Sequence, residues 1–145
     1  MNIYFSCSLT GGREDQAVYE RLVDDLLQSG HTVPTAHLAR SDVMDLERTV
    51  VPQDIYLRDM AWIEACNAVV AEVSTPSHGV GYEIAVALGL GKPVLCCYRR
   101  GAAVSKMITG NQTKGLRVEA YDDTDHAVAI VRAFLEEAGL AESGP

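Results

Sequence analysis

Short apolar runs and helix-periodic segments alternate along the whole of this 145-residue chain, and that alternation restricts the fold more than any other feature. Strands that pair in parallel need a crossover of a dozen or more residues between them, usually a helix. The runs at 2–6, 68–73, 94–98 and 116–120 have the length and apolar content of buried strands. A further run at 31–35 is strand-like but contains Pro34. Between them, 15–28 repeats Val18, Leu22 and Leu26 at helical spacing and meets a stop at Gly30. Segment 52–66 begins on Pro52, suited to a first helical position, and 80–90 ends at Gly91, Lys92 and Pro93. Segments 103–108 and 124–138 are also helical, while the polar stretch 36–51 reads as a loop with at most one helical turn. The pattern predicts an α/β fold, a flavodoxin-like five-stranded parallel sheet in the order 2-1-3-4-5 with helices on both faces. It fits one domain over 1–140, followed by a short tail at 141–145.

In such a sheet, ligands sit beyond the carboxyl ends of the strands, where the strand order reverses. That places two loops side by side: SLTGGRE after the first strand and STPSHGVGYE after the third. Both combine glycines with hydroxyl side chains, Ser8 and Ser77 among them, and both lead into helices. Glycine allows close backbone approach, and the free N–H groups of a helix start suit an anion. A small phosphate group is therefore compatible with a chain of net charge −8. A nucleic-acid polymer is not an expected partner, because twenty acidic residues face only twelve basic ones.

Two carboxylates fall on apolar helix faces. Glu83 follows Val80 by three and precedes Ala87 by four, close to the stripe of Val80, Ile84, Ala87 and Leu88. It also sits in the first turn, where the macrodipole favours an anion, so a plain helix-start glutamate is the bland alternative. Asp59 follows Ile55 by four and precedes Trp62 by three, on the face with Ile63 and Cys66. An unpaired buried carboxylate costs several kcal/mol, so Asp59 needs either a structural partner such as Arg58 or a site on that face. Two such acids near one switch point suggest a catalytic pair for glycosidic chemistry, one attacking the anomeric carbon and the other serving the leaving group and water. Tyr4, in the first strand, is placed to donate a hydrogen bond to Glu83; a core tyrosine is its bland alternative.

The four cysteines, Cys7, Cys66, Cys96 and Cys97, fit no zinc spacing and lie in or beside apolar runs, as buried reduced thiols do. No metal is expected. No apolar stretch approaches the roughly 20 residues of a membrane span, and no basic region precedes the first run. The expectation is a cytoplasmic protein with no membrane partner.

The segments IYFSCSLTGGRED at 3–15, RDMAWIEACNAVVAEVSTPSHGVGYE at 58–83 and SKMITG at 105–110 resemble the 2′-deoxynucleoside 5′-phosphate N-hydrolases, a branch of the nucleoside 2-deoxyribosyltransferase superfamily. The resemblance covers nearly the whole chain. It implies a homodimer without cofactor that hydrolyses the N-glycosidic bond of deoxynucleoside monophosphates. It implies Glu83 as nucleophile, Asp59 as the group assisting base departure and then handling water, and Tyr4 as the residue orienting Glu83. The 5′-phosphate would be held by Ser8, Gly11, Gly12, Ser77 and Gly79, with Ser105 and Met107 of the SKM element completing the neighbouring subunit's site. His37, in TAHL, matches a histidine of the same pocket. Two positions depart from the family pattern: Thr10 replaces a basic residue before the double glycine, a role open to Arg13, and SCS replaces a glycine-containing CGS. The alternatives are a nucleoside 2-deoxyribosyltransferase, which passes the sugar to a second base, and a nucleotide-binding module without turnover.

Overall fold

The computed structural model describes residues 1–9, 15–42 and 47–142. Strands β1 (Ile3–Ser6), β2 (Ala68–Glu72), β3 (Val94–Arg99) and β4 (Leu116–Tyr121) form a parallel sheet in the order β1-β2-β3-β4. Helices α1 (Gln16–Gln28) and α5 (Thr124–Glu142) cover one face, and α2 (Pro52–Ala65) and α3 (His78–Gly89) the other. A single 3₁₀ turn spans Ala36–Ala39, and a short helix, α4, spans Lys106–Thr109.

β1, β2 and most of β3 are buried on both faces, which explains their continuously apolar runs, whereas β4 at the sheet edge is partly buried and alternates apolar residues with Arg117 and Glu119. Side chains still alternate in destination. Ile3, Phe5, Val70 and Leu95 pack with Leu22 and Phe134, on the α1/α5 face. Tyr4, Val69, Ala71 and Cys96 pack with Ile63 and Ile84, on the α2/α3 face. Fully burying a Val, Leu or Ile side chain contributes about 1.5–3 kcal/mol, so each layer is strongly held. All four cysteines are buried and free. Gly30 and Gly91, just beyond α1 and α3, take φ of 83° and 71°, the left-handed conformation that ends a helix cheaply only with glycine.

The sheet has four strands, not the five expected. The run at 31–35 contributes one parallel bridge, Thr32 to Asn2, on the side of β1 away from β2. The Ile3 N–H reaches the Thr32 carbonyl at 2.8 Å, and the Thr32 N–H reaches the Met1 carbonyl at 2.9 Å. Pro34 has no N–H to continue the ladder, and the chain turns away. The Thr35 hydroxyl then accepts the Phe5 N–H at 2.9 Å, replacing the missing strand partner. The remaining strands keep the order expected of them. At the other end of the chain, α5 runs past 138 to Glu142, so the expected tail begins in helix.

Asp25, paired with Arg132, and Glu72 are both buried on the α1/α5 side. Glu72 is fully buried and accepts hydrogen bonds from the Ser74 hydroxyl, the Ser74 N–H and the Tyr121 hydroxyl, the last at 2.9 Å. None of these partners is a cation, and burial pushes its carboxyl above the usual glutamate range. A raised carboxyl binds more protons folded than unfolded, so its contribution to stability is present at low pH and is lost as pH rises above about 4.5. Glu72→Gln, which mimics the neutral acid, is expected to raise stability at pH 8 by about 0.5–2 kcal/mol. Thermal melts should also lose part of their decline between pH 5 and pH 8; a variant that melts lower at pH 8 would contradict this account.

Candidate active site

Asp15, just after the first glycine loop, is tied to the loop that follows β2. Thr75, in the loop after β2, donates its hydroxyl to the buried Asp15 carboxylate at 2.9 Å across 60 residues of sequence. Arg99, at the end of β3, bonds the other Asp15 oxygen. This tie holds the start of α1 against the segment that leads into α3. Beside it, a cleft of about 400 Å³ is lined by Cys7, Leu9, Arg58, Asp59, Gly79 and Glu83, with Glu47 and Ser77 also in its wall. Both predicted carboxylates thus enter one cavity, although they come from different helices.

Glu83 sits in this cleft wall, beside Ser6 and Tyr4. Burial pushes its carboxyl above the usual glutamate range, and the Asp59 charge adds to this; the hydroxyls of Ser6 and Tyr4 pull the other way. Ser6, fully buried at the end of β1, donates directly to Glu83 Oε2. Ser6 adds a hydrogen bond that the sequence did not assign, alongside the Tyr4 hydroxyl, which also favours the charged carboxylate. The Tyr4 hydroxyl is buried beside the same carboxylate and has no hydrogen-bond partner of good geometry. Burial and then the Glu83 charge raise it, so it remains an O–H donor. Ser6 escaped the sequence reading, yet it lies two residues from Tyr4 in a strand, so both side chains point to one face.

Asp59 is 8% exposed and accepts the Arg58 Nε–H at 2.8 Å. Arg58 in turn forks onto Glu47, with Nη1 to Oε1 at 3.1 Å and Nη2 to Oε2 at 3.4 Å. His37 does not line the cleft; its Nε2 meets Glu47 Oε1 at 3.1 Å, one step behind the wall. Burial would raise the Glu47 carboxyl, but hydrogen bonds from Arg58 and His37 outweigh it and hold it below the usual range.

The predicted phosphate ligands divide into four groups. Ser77 and Gly79 lie at the start of α3 and line the cleft; the Ser77 hydroxyl caps the helix, accepting the Val80 N–H at 3.4 Å. Ser8 lies between the lining residues Cys7 and Leu9, and its hydroxyl is buried with no hydrogen-bond partner. Such an orphan donor costs about 1–3 kcal/mol, a cost that a bound acceptor would remove. Gly11, Gly12 and Arg13, with Thr10, lie outside the described residues. Ser105 and Met107 are not in this cleft. They border an adjoining apolar groove of about 560 Å³ that shares Ser77, His78 and Val80 with the cleft and continues along α3 past Ile84 and Leu88 to Val104 and Ile108. Met107 is 83% exposed there, and the Ser105 hydroxyl caps α4 by accepting the Met107 N–H at 3.2 Å.

If Glu83 is a nucleophile, only its ionised form attacks carbon, and its pKa then sets the acid limb of activity. Ser6→Ala removes a hydrogen bond that favours the charged form. The acid limb of kcat/KM is then expected to move to higher pH, with the plateau less affected. A pH–rate profile of wild type and variant checks this; an unmoved limb would exclude Glu83 as its source.

The profile of the nucleoside 2-deoxyribosyltransferase family matches residues 3–128. A mouse protein named 5-hydroxymethyl-dUMP N-hydrolase is 37% identical over 153 aligned positions, covering 99% of this chain and 87% of the mouse protein. A relative from Nematostella vectensis, provisionally named 2′-deoxynucleoside 5′-phosphate N-hydrolase 1, is 43% identical over 137 positions, covering 91% of this chain and 92% of its own. Among solved structures, the CMP N-glycosidase of Clostridium botulinum superposes with a TM-score of 0.72 at 16% identity, covering 92% of this chain and 99% of that one. It shares the fold. With most of its length matched by the family profile and a 43%-identical relative aligned nearly end to end, the chain belongs to the nucleoside 2-deoxyribosyltransferase family.

Proposed function

We propose that the protein hydrolyses the N-glycosidic bond of 2′-deoxynucleoside 5′-monophosphates, releasing the free base and 2-deoxyribose 5-phosphate. The observation that carries the mechanism is the convergence of Glu83 and Asp59 on one cleft whose wall includes the N-terminus of α3. The names of the mouse and sea-anemone relatives support the reaction class and the phosphorylated substrate.

In this reading the ionised Glu83 attacks C1′ as the C1′–N bond breaks. The bonding pair leaves with the base, a proton carried by Asp59 passes to it, and a deoxyribosyl ester forms on Glu83. Water, activated by Asp59, then attacks C1′; the ester breaks and the Glu83 carboxylate is restored. Ser6 and Tyr4 orient the attacking oxygen. Ser8, Ser77 and the backbone at Gly79 hold the 5′-phosphate, which the helix start favours. No cofactor takes part. Ser105 and Met107 belong to an exposed segment beside an apolar groove, and in this reading they reach the site of a second copy in a homodimer. Among the described residues no helix is long and apolar enough to cross a membrane, and the proposed location is the cytoplasm.

The family also gives weight to a transferase, which would pass the sugar from Glu83 to a second base. Incubation with a panel of deoxynucleoside monophosphates and the matching nucleosides, with and without a second free base, separates the readings. Base and deoxyribose 5-phosphate released from the monophosphates alone supports the hydrolase. Base exchange on unphosphorylated nucleosides moves the assignment to the transferase, and no turnover of either leaves a binding module.

A further inference from the structure

Arg58 and Asp59 are consecutive on α2, and neighbouring helical positions point about 100° apart. Their side chains therefore do not meet by helix geometry alone, and the guanidinium must be bent back and held. Two groups hold it. Glu47 takes both Nη atoms in a fork at 3.1 and 3.4 Å, and the Trp62 ring, one turn further along α2, lies 4.8 Å below the guanidinium carbon. Glu47 is itself fixed by His37, whose ring also meets Trp62 edge-on at 6.0 Å. The result is a clamped cation that presents Nε–H to Asp59 Oδ1 at 2.8 Å. Arg58, Asp59 and Glu47 all line the cleft that holds Glu83. As a stability device the arrangement is poor, because desolvating one cation and two anions offsets most of their attraction.

We propose that Arg58 is a positioning residue for Asp59: clamped by Glu47 and Trp62, it fixes the carboxylate in the orientation from which Asp59 serves the glycosidic bond. The proposal rests on the N-hydrolase reading above. Misplacing a catalytic group by about 1 Å costs on the order of 100-fold in rate, so the clamp should register mainly in kcat. Lysine is not an equivalent, since a point charge cannot fork onto Glu47 while giving a fixed N–H to Asp59.

The test is a double-mutant cycle on the full-length protein, using the monophosphate it turns over best. Arg58→Met is expected to lower kcat by about 10- to 100-fold, with KM within about threefold. Asp59→Asn should lose more, and the double variant should match Asp59→Asn within about twofold, because no carboxylate remains to be positioned. Arg58→Lys should restore only part of the loss, and Glu47→Gln should reduce kcat in the same direction through Arg58. If Arg58→Met does not fold, Arg58→Gln and Glu47→Gln carry the same cycle. Losses that multiply in the double variant, a change confined to KM, or an unchanged kcat would overturn the proposal. A wild-type protein with no hydrolytic turnover removes the N-hydrolase reading and this proposal with it; turnover with multiplicative losses removes the proposal alone.

Discussion

Glu83→Gln is expected to abolish turnover, by about 10⁴-fold or more in kcat, while leaving the protein folded and at least as stable as wild type. The kinetic half follows from chemistry: an amide cannot form the glycosyl ester, and among the described residues no other carboxylate lies against both Ser6 and Tyr4. A 10⁴-fold loss corresponds to about 5.4 kcal/mol of transition-state stabilisation. The stability half follows from linkage. Burial raises the Glu83 carboxyl, so the folded state binds more protons than the unfolded chain above about 4.5. Wild-type stability therefore falls as pH rises through that window, and Gln, which never ionises, escapes the decline. Base release measured by chromatography, with melts at pH 5 and pH 8, checks both halves. The expected signature is lost activity with a melting temperature equal at pH 5 and equal or higher at pH 8. Substantial residual hydrolysis would remove Glu83 as nucleophile.

Asp59→Asn should cost about 10²- to 10⁴-fold in kcat, the usual range for a positioned acid or base. Asparagine keeps the shape and can still accept the Arg58 Nε–H, so the loss reports chemistry rather than collapse. Two further readouts follow. The Asp59 charge helps to raise Glu83, so the variant's acid limb should move to lower pH, opposite to the shift expected for Ser6→Ala. If Asp59 assists base departure, the loss should shrink for substrates whose base leaves readily without a proton. An equal loss for every base would assign Asp59 to the water step alone.

Element order was legible because strands buried on both faces leave continuous apolar runs, and the helices keep their period. The positions of Glu83 and Asp59 followed from the same periodicity, since three- and four-residue spacings fix a helix face whatever the partner. Features that depend on pairing across distance were not legible. Whether 31–35 forms a strand turned on Pro34 meeting β1, and the Thr35 hydroxyl that replaces its ladder bond is visible only once the two are side by side. Glu47 lay in a polar stretch read as a loop, and nothing local links it to Arg58 eleven residues on. Ser6 closes the first apolar run and Glu72 is next to last in the 68–73 run, where a polar residue looks like the edge of a loop. Both are fully buried, and their meaning comes from Glu83 and Tyr121 on other elements.

The first strand couples folding to function through a single register. Tyr4 and Ser6 face Glu83, while Ile3 and Phe5 face the opposite layer, and all four are fully buried. Deleting one residue inside this strand would exchange the two sets, setting phenylalanine where the hydroxyls stood, yet its apolar content would hardly change. Such a lesion would bury two hydroxyls without partners in the apolar α1/α5 layer and leave the Glu83 carboxylate without donors, so the frame of these four residues is held by packing and by the site at once.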